Sequence, residues 1–143
     1  MRKVHRFDAR LNQSLQAVIA YAETHSTPLY PLLHELERET HLKTLAPQMM
    51  SGPLQGQFLR MLSLIQRPRR ILEIGTFTGY GTLCLAAGLA AGGRMDTVEV
   101  NDELAWLIRK YLRRAGLEEQ VSLHLGDAVE LLPELAGPYE LVF

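Results

Sequence analysis

The stretch 70–100, RILEIGTFTGYGTLCLAAGLAAGGRMDTVEV, constrains the fold of this chain more than any other. Residues 70–74 form an apolar run without alternation, so the strand they predict has both faces covered, as in a parallel sheet. Gly75, Gly79 and Gly81 follow within one loop. A loop this rich in glycine, directly after a buried strand, can turn sharply and let backbone approach a ligand, because glycine has no Cβ and tolerates positive φ. Residues 80–89 read as a helix stopped by Gly92 and Gly93, and residues 95–100 as the next strand. That strand delivers Glu99 roughly 20 residues beyond the loop, where a carboxylate can accept hydrogen bonds from both hydroxyls of a ribose. Together these predict a nucleoside-binding βαβ unit.

The loop reads Gly75-Thr-Phe-Thr-Gly79-Tyr-Gly81 and so lacks the G-x-G-x-x-G spacing of dinucleotide sites, which weighs against a nicotinamide cofactor. Glu73, two residues before the first glycine, instead gives an acid-x-Gly opening whose carboxylate faces the cationic or amino-acid end of a ligand. S-adenosylmethionine has such an end, carries a positive sulfonium, and has no pyrophosphate that would need a helix N-terminus. The blander alternative is an ordinary α/β strand and turn with glycines kept for packing.

Composition bounds the rest. The 143 residues, 47% hydrophobic and 22% charged, suit one soluble globular domain with a real core. Fifteen Lys plus Arg against sixteen Asp plus Glu leave a net charge of -1, so no global field draws the chain to nucleic acid or anionic lipid. Arg2, Lys3, Arg6 and Arg10 form a basic arm, read as solvated, with an RNA or membrane contact as the alternative. No stretch is apolar enough to span a bilayer, and the N-terminus lacks the apolar core of a signal peptide. The one cysteine, Cys84, sits among apolar neighbours and suits a small buried residue in a reducing cytoplasm.

Ahead of the βαβ unit, Asp8 is placed to cap a first helix whose Leu11, Leu15, Val18, Ile19 and Ala22 share a face. A second helix starts at Pro31, with Leu32, Leu33 and Leu36 inward and the acidic run 35–39 solvated. A third runs from Pro53, with Leu54, Phe58, Met61, Leu62 and Ile65 as its buried stripe. After Glu99, Asn101 caps a helix with Leu104, Leu107, Ile108, Tyr111, Leu112 and Ala115 on its apolar face, closed by Gly116. Residues 120–125 alternate, predicting a half-exposed edge strand on which His124 is a surface residue rather than a ligand. No histidine spacing suggests a metal site. Asp127 follows at the carboxyl edge where open α/β sheets bind ligands, and it is equally placed to cap a helix over 129–135. Residues 139–143 begin a fourth strand.

The words LEIGTFTGYGTLCLA, TVEVNDELA, AGLEEQVSLHLGDAVELLPEL and YELVF resemble the cation-dependent O-methyltransferases, which include catechol and caffeoyl-CoA O-methyltransferases and bacterial relatives. The resemblance runs from about Met49 to the end. It implies a Rossmann-like α/β methyltransferase fold, a parallel sheet flanked by helices, with residues 1–68 as a helical region packed on the sheet and 69–143 as the N-terminal half of the cofactor-binding domain. The cofactor it implies is S-adenosyl-L-methionine, bound by Met49, Met50, Ser51, Glu73, Gly75, Thr76, Phe77, Gly79, Tyr80, Gly81, Glu99, Val100, Asn101, Asp127 and Ala128. In such a site a methionine ahead of the third helix lies against the sulfonium, although Met49 and Met50 could equally serve the core. Asp127 would accept from the adenine amino group, and the backbone at Ala128 would meet the ring.

Members of the family continue past the fourth strand into the ligands of a divalent cation and a lysine base. The resemblance therefore places catalytic and metal residues beyond Phe143, makes the C-terminal part of the sheet missing, and leaves this truncated chain inactive by itself. In a full-length parent, Mg²⁺ or a similar ion would orient a vicinal diol and lower the pKa of its hydroxyl. The implied partners are a small hydroxylated acceptor and a second copy in a dimer. Alternatives are a hydroxylated RNA base as acceptor, a non-catalytic nucleoside-binding module, or an NAD-dependent oxidoreductase. The fourth strand is expected to pair in parallel with the first.

Overall fold

A computed structural model describes residues 4–28 and 30–143, with side chains from Leu11 onward. Three helices, α1 (Val4–His25), α2 (Pro31–Lys43) and α3 (Gly52–Gln66), precede β1 (Arg70–Ile74). Then follow α4 (Tyr80–Ala86), β2 (Arg94–Glu99), α5 (Ala105–Arg114), β3 (Val121–Leu125), α6 (Ala128–Leu131) and β4 (Leu141–Val142). The four strands are parallel in the order β3-β2-β1-β4, so β3 is an edge, as its alternation predicts. The fourth strand pairs in parallel with the first as expected, and its ladder extends past the two regular residues through Glu140 N to Arg70 O and Ile74 N to Phe143 O, both 2.9 Å.

Register explains where the core sits. Ile71 aligns with Met95 and Leu141, and Met95 with Val121, so these four share one face of the sheet. That face is buried under Leu85 of α4 and Leu107, Ile108 and Tyr111 of α5. On β1 the burial expected of both faces holds for Ile71, Leu72 and Glu73 but not for Ile74, which is 44% exposed.

Several boundaries and faces differ from the sequence reading. Helix α1 starts at Val4, so Asp8 lies within it rather than ahead of it, with its side chain outside the described residues; Arg2 and Lys3, and the side chains of Arg6 and Arg10, lie outside them as well. Leu11, Leu15 and Val18 point outward. The stripe assigned to α3 is the wrong one: Leu54, Phe58, Met61, Leu62 and Ile65 are 37–74% exposed, while Gly56, Leu59 and Ser63 are buried. The reason is a close approach to α4. A Cβ at Gly56 would lie 2.7 Å from Tyr80 Cε1 and 2.9 Å from Cys84 Sγ, and one at Gly88 would lie 2.2 Å from the Ser63 backbone. Small residues thus select the packed face, and the larger ones are left on the other. Helix α4 ends at Ala86 rather than Leu89, with Gly88 already in that contact, and α6 gives way to a 3₁₀ turn at Leu132–Glu134 around Pro133.

Two further corrections concern charge. Part of the acidic run on α2 is paired rather than solvated: Glu39 accepts from Lys110 Nζ (2.5 Å) and Tyr111 OH (2.8 Å), and Glu35 from Arg114 Nη2 (2.7 Å), joining α2 to α5. His124 is no free surface residue either. Its Nε2 meets Asp96 Oδ1 at 2.8 Å, and Asp96 Oδ2 accepts from Arg70 Nη2 (2.9 Å) and Tyr139 OH (3.1 Å), so one carboxylate bridges three strands and the approach to β4.

Candidate functional site

Two carboxylates at the ends of β1 and β2 organise the carboxyl edge of the sheet. Glu73 is almost wholly buried, and its Oε2 accepts from Thr82 Oγ1 (2.5 Å) and Thr97 Oγ1 (2.6 Å). Burial pushes its pKa up to about 7; the two hydroxyls pull against that, and the nearby Glu99 charge adds to it. The other oxygen, Oε1, faces Gly81, where a Cβ would lie only 2.8 Å away. Only glycine leaves that oxygen open to the cleft.

Glu99 is held by backbone. Its Oε2 accepts from Phe77 N (2.6 Å) and its Oε1 from Asn101 N (2.9 Å). Phe77 makes the first bond at φ 52, a left-handed conformation that a bulky residue adopts at a cost. Val98 O accepts from Gly75 N and Thr76 N, and Thr76 O from Gly79 N, which begins α4 at φ 92. A buried bond from Thr40 Oγ1 to Thr78 Oγ1, 3.0 Å, ties the loop to α2.

These residues border two hollows. One is a narrow crevice lined by Met49, Met50, Ser51, Glu73, Gly75, Thr76, Phe77, Thr78, Tyr80 and Gly81. The other is a groove of about 480 Å³ between the chain from Lys43 to Met49 and the start of α5, with Glu99, Val100, Asn101 and Trp106 on its walls. Met49 and Phe77 border both. The crevice therefore offers a carboxyl oxygen at one end, and the groove a carboxylate and apolar walls at the other.

Most of the expected site residues are brought together here. Tyr80 borders the crevice, but its ring packs against Gly56 in the core, its hydroxyl buried without a partner. Asp127 and Ala128 lie outside both hollows. Gly126 N donates to Glu99 O (2.9 Å), seating the end of β3 beside that of β2, and Asp127 Oδ1 accepts from Val129 N (2.8 Å) as the cap of α6. Sequence reasoning missed Thr82 and Thr97, which hold Glu73, and Lys43 and Trp106, which border the groove. Thr97 had a signal, a polar residue at an inward position of an apolar strand, in register with Glu73. Among the described residues no three His, Cys, Asp or Glu side chains gather as metal ligands.

Compared with known proteins, residues 23–141 match the model of the O-methyltransferase family. The chain belongs to that family. It is 41% identical over 98 residues to a catechol O-methyltransferase of Mycobacterium tuberculosis, covering 68% of this chain and 44% of that one. A catechol O-methyltransferase of Niastella koreensis is 38% identical over 101 residues, covering 68% and 46%. The chain spans about half the length of the curated relatives it matches. Among solved structures, SAH-bound PaMTH1 from Podospora anserina superposes with a TM-score of 0.86 at 28% identity, over 92% of this chain and 56% of that one. The O-methyltransferase of Bacillus cereus in complex with SAH gives 0.80 at 35% identity, over 89% and 59%. The fold is the Rossmann-like fold of these methyltransferases.

Proposed function

We propose that this chain carries the cofactor-binding part of an S-adenosylmethionine-dependent O-methyltransferase acting on a small hydroxylated molecule. The observation that carries the reading is the pair Glu73 and Glu99 at adjacent strand ends, with Glu73 Oε1 kept open by Gly81. When bound, the cofactor supplies a methyl group on a positive sulfonium, which passes to an acceptor oxygen as the sulfur takes the bonding pair. The protein's share is placement. Glu73 accepts from the ammonium of the methionyl end; Glu99, anchored by two amides, accepts from the ribose hydroxyls; Asp127 and Ala128 meet the adenine. Met49 and Met50 line the route between, where soft thioethers tolerate a sulfonium. Among the helices of 1–68, α2 and α3 pack on α4 and α5, which in turn cover the sheet that residues 69–143 build.

A divalent cation, implied by the resemblance for a full-length parent, finds no ligand cluster among the described residues. For the same reason we expect the purified 143-residue chain to bind cofactor without turnover, as a nucleoside-binding module would. Metal-dependent methylation of a catechol by this chain would contradict that. A cytoplasmic location fits the lone buried cysteine, and among the described residues no helix is long and apolar enough to cross a membrane. The exposed apolar faces of α1 and α3 fit a dimer.

The test is calorimetric titration of S-adenosylhomocysteine into the wild-type chain and Glu99→Ala, after circular dichroism shows that both fold. Loss of the carboxylate should cost about 1.5 to 3 kcal/mol, or tenfold to a hundredfold in affinity. Equal affinities, or binding of NAD in place of S-adenosylhomocysteine, would end this assignment.

A further inference from the structure

Helices α2 and α5 each lend one end to the cofactor region and the opposite end to a second cavity, and the short α4 between them borders both. At the cofactor end stand Lys43 of α2, Tyr80 and Gly81 of α4, and Leu107 of α5. At the far end, Leu32 and Leu33 of α2, Leu83 and Cys84 of α4, and Ala115 and Leu117 beyond α5 line a cavity of about 460 Å³. Along α2 the two lie roughly 15 Å apart, at about 1.5 Å of rise per residue from Leu33 to Lys43, while on α4 they share no lining residue but lie within a turn of each other.

The cavity wall is mostly aliphatic. Burial holds the Cys84 thiol up at about 12, so the floor there is neutral. Among the described residues one charge borders the cavity, the guanidinium of Arg60 on α3, and among them it forms no ion pair. Beside it the Gln57 side-chain amide donates to Thr27 O, and Gln57 also lines the cavity. A mostly aliphatic chamber with a guanidinium at its wall, unpaired among the described residues, matches a ligand with an aliphatic body and one anionic head, because Arg offers a planar fork suited to a carboxylate and the other described lining residues carry no charge.

We propose that this cavity is a second binding site, distinct from the cofactor cleft, for an amphipathic monocarboxylate whose head pairs with Arg60 and whose chain lies against Leu32, Leu33, Leu83 and Leu117. A medium-chain acid is small enough to lie wholly within the cavity of about 460 Å³.

Octanoate is the probe, titrated calorimetrically into the 143-residue chain, with octan-1-ol as the uncharged comparison. Octanoate should bind one to one and at least tenfold more tightly than octan-1-ol, and Arg60→Gln should remove that difference while leaving octan-1-ol binding unchanged. Ala87→Phe, at an exposed position on the cavity rim, should abolish binding of both by filling the space. Arg60 is itself exposed, so its replacement leaves the fold intact; the comparison of the two probes on wild-type protein needs no variant. No saturable octanoate binding, equal affinity for the alcohol, or an unchanged Arg60→Gln would overturn the proposal. Binding of S-adenosylhomocysteine is followed in parallel, so that failure of this site is distinguished from failure of the cofactor reading.

Discussion

Glu73 is where binding and stability oppose one another. In the unfolded chain its carboxyl titrates near the ordinary 4.5, while in the folded chain burial first of all raises it to about 7. The folded state therefore holds this proton more tightly, and the stability so gained is fully present below about pH 4.5 and lost as pH rises through about 7. Glu73→Gln keeps an acceptor for Thr82 and Thr97 without the charge. Chemical denaturation should show the variant overtaking wild type by roughly 2 to 4 kcal/mol between pH 4.5 and 8, with no such divergence below pH 4.5. Profiles that stay parallel would mean the carboxyl is not perturbed. The same residue should make binding of a cationic ligand release close to one proton at pH 6, read from titrations in buffers of different ionisation enthalpy, and none in Glu73→Gln.

Among the elements, α3 and α4 show what a hydrophobic pattern can and cannot say. The period of Leu54, Phe58, Met61, Leu62 and Ile65 identified a helix correctly, yet its covered face is set by Gly56, Ser63 and Gly88, whose meaning depends on a neighbour that local sequence does not name. The glycine loop and both acids were legible because their chemistry is local to one βαβ unit. The pairing of Asp96 with Arg70, His124 and Tyr139 was not, since it joins residues up to 69 positions apart that only the register brings together. Two substitutions to alanine separate packing from function. Gly88→Ala drives a methyl into the Ser63 backbone, which cannot yield as a side-chain end can, and should cost about 3 kcal/mol in urea unfolding. Gly81→Ala meets a carboxyl oxygen instead. It should cost little stability while weakening S-adenosylhomocysteine at least tenfold, and the reverse ranking of the two variants would refute this division.

For the whole molecule, the decisive feature is β4, which pairs with β1 on one side and, among the described residues, has no strand on the other. Beside it Ile74, Val142 and Phe143 are 42–59% exposed. An unpaired strand edge beside apolar surface recruits another chain or frays. Sedimentation velocity of the 143-residue chain should show concentration-dependent association, or hydrogen exchange should be fast across 141–143. A strict monomer with slow exchange there would show the edge to be stable as it stands.

Phe143 also reaches inward: its Cε1 lies 3.7 Å from where a Cβ on Gly81 would stand, beside the carboxyl oxygen that faces the cleft. The open edge of the sheet thus lies beside Gly81, which lines the ligand crevice. A ligand that needs the crevice whole must act as a clasp on β4 whose grip is set by its concentration, worth about 2.7 kcal/mol at a hundred times its dissociation constant. Exchange at 141–143 should then slow as S-adenosylhomocysteine is added, with the half-point at the calorimetric dissociation constant. The strand and the small molecule would be folding one another.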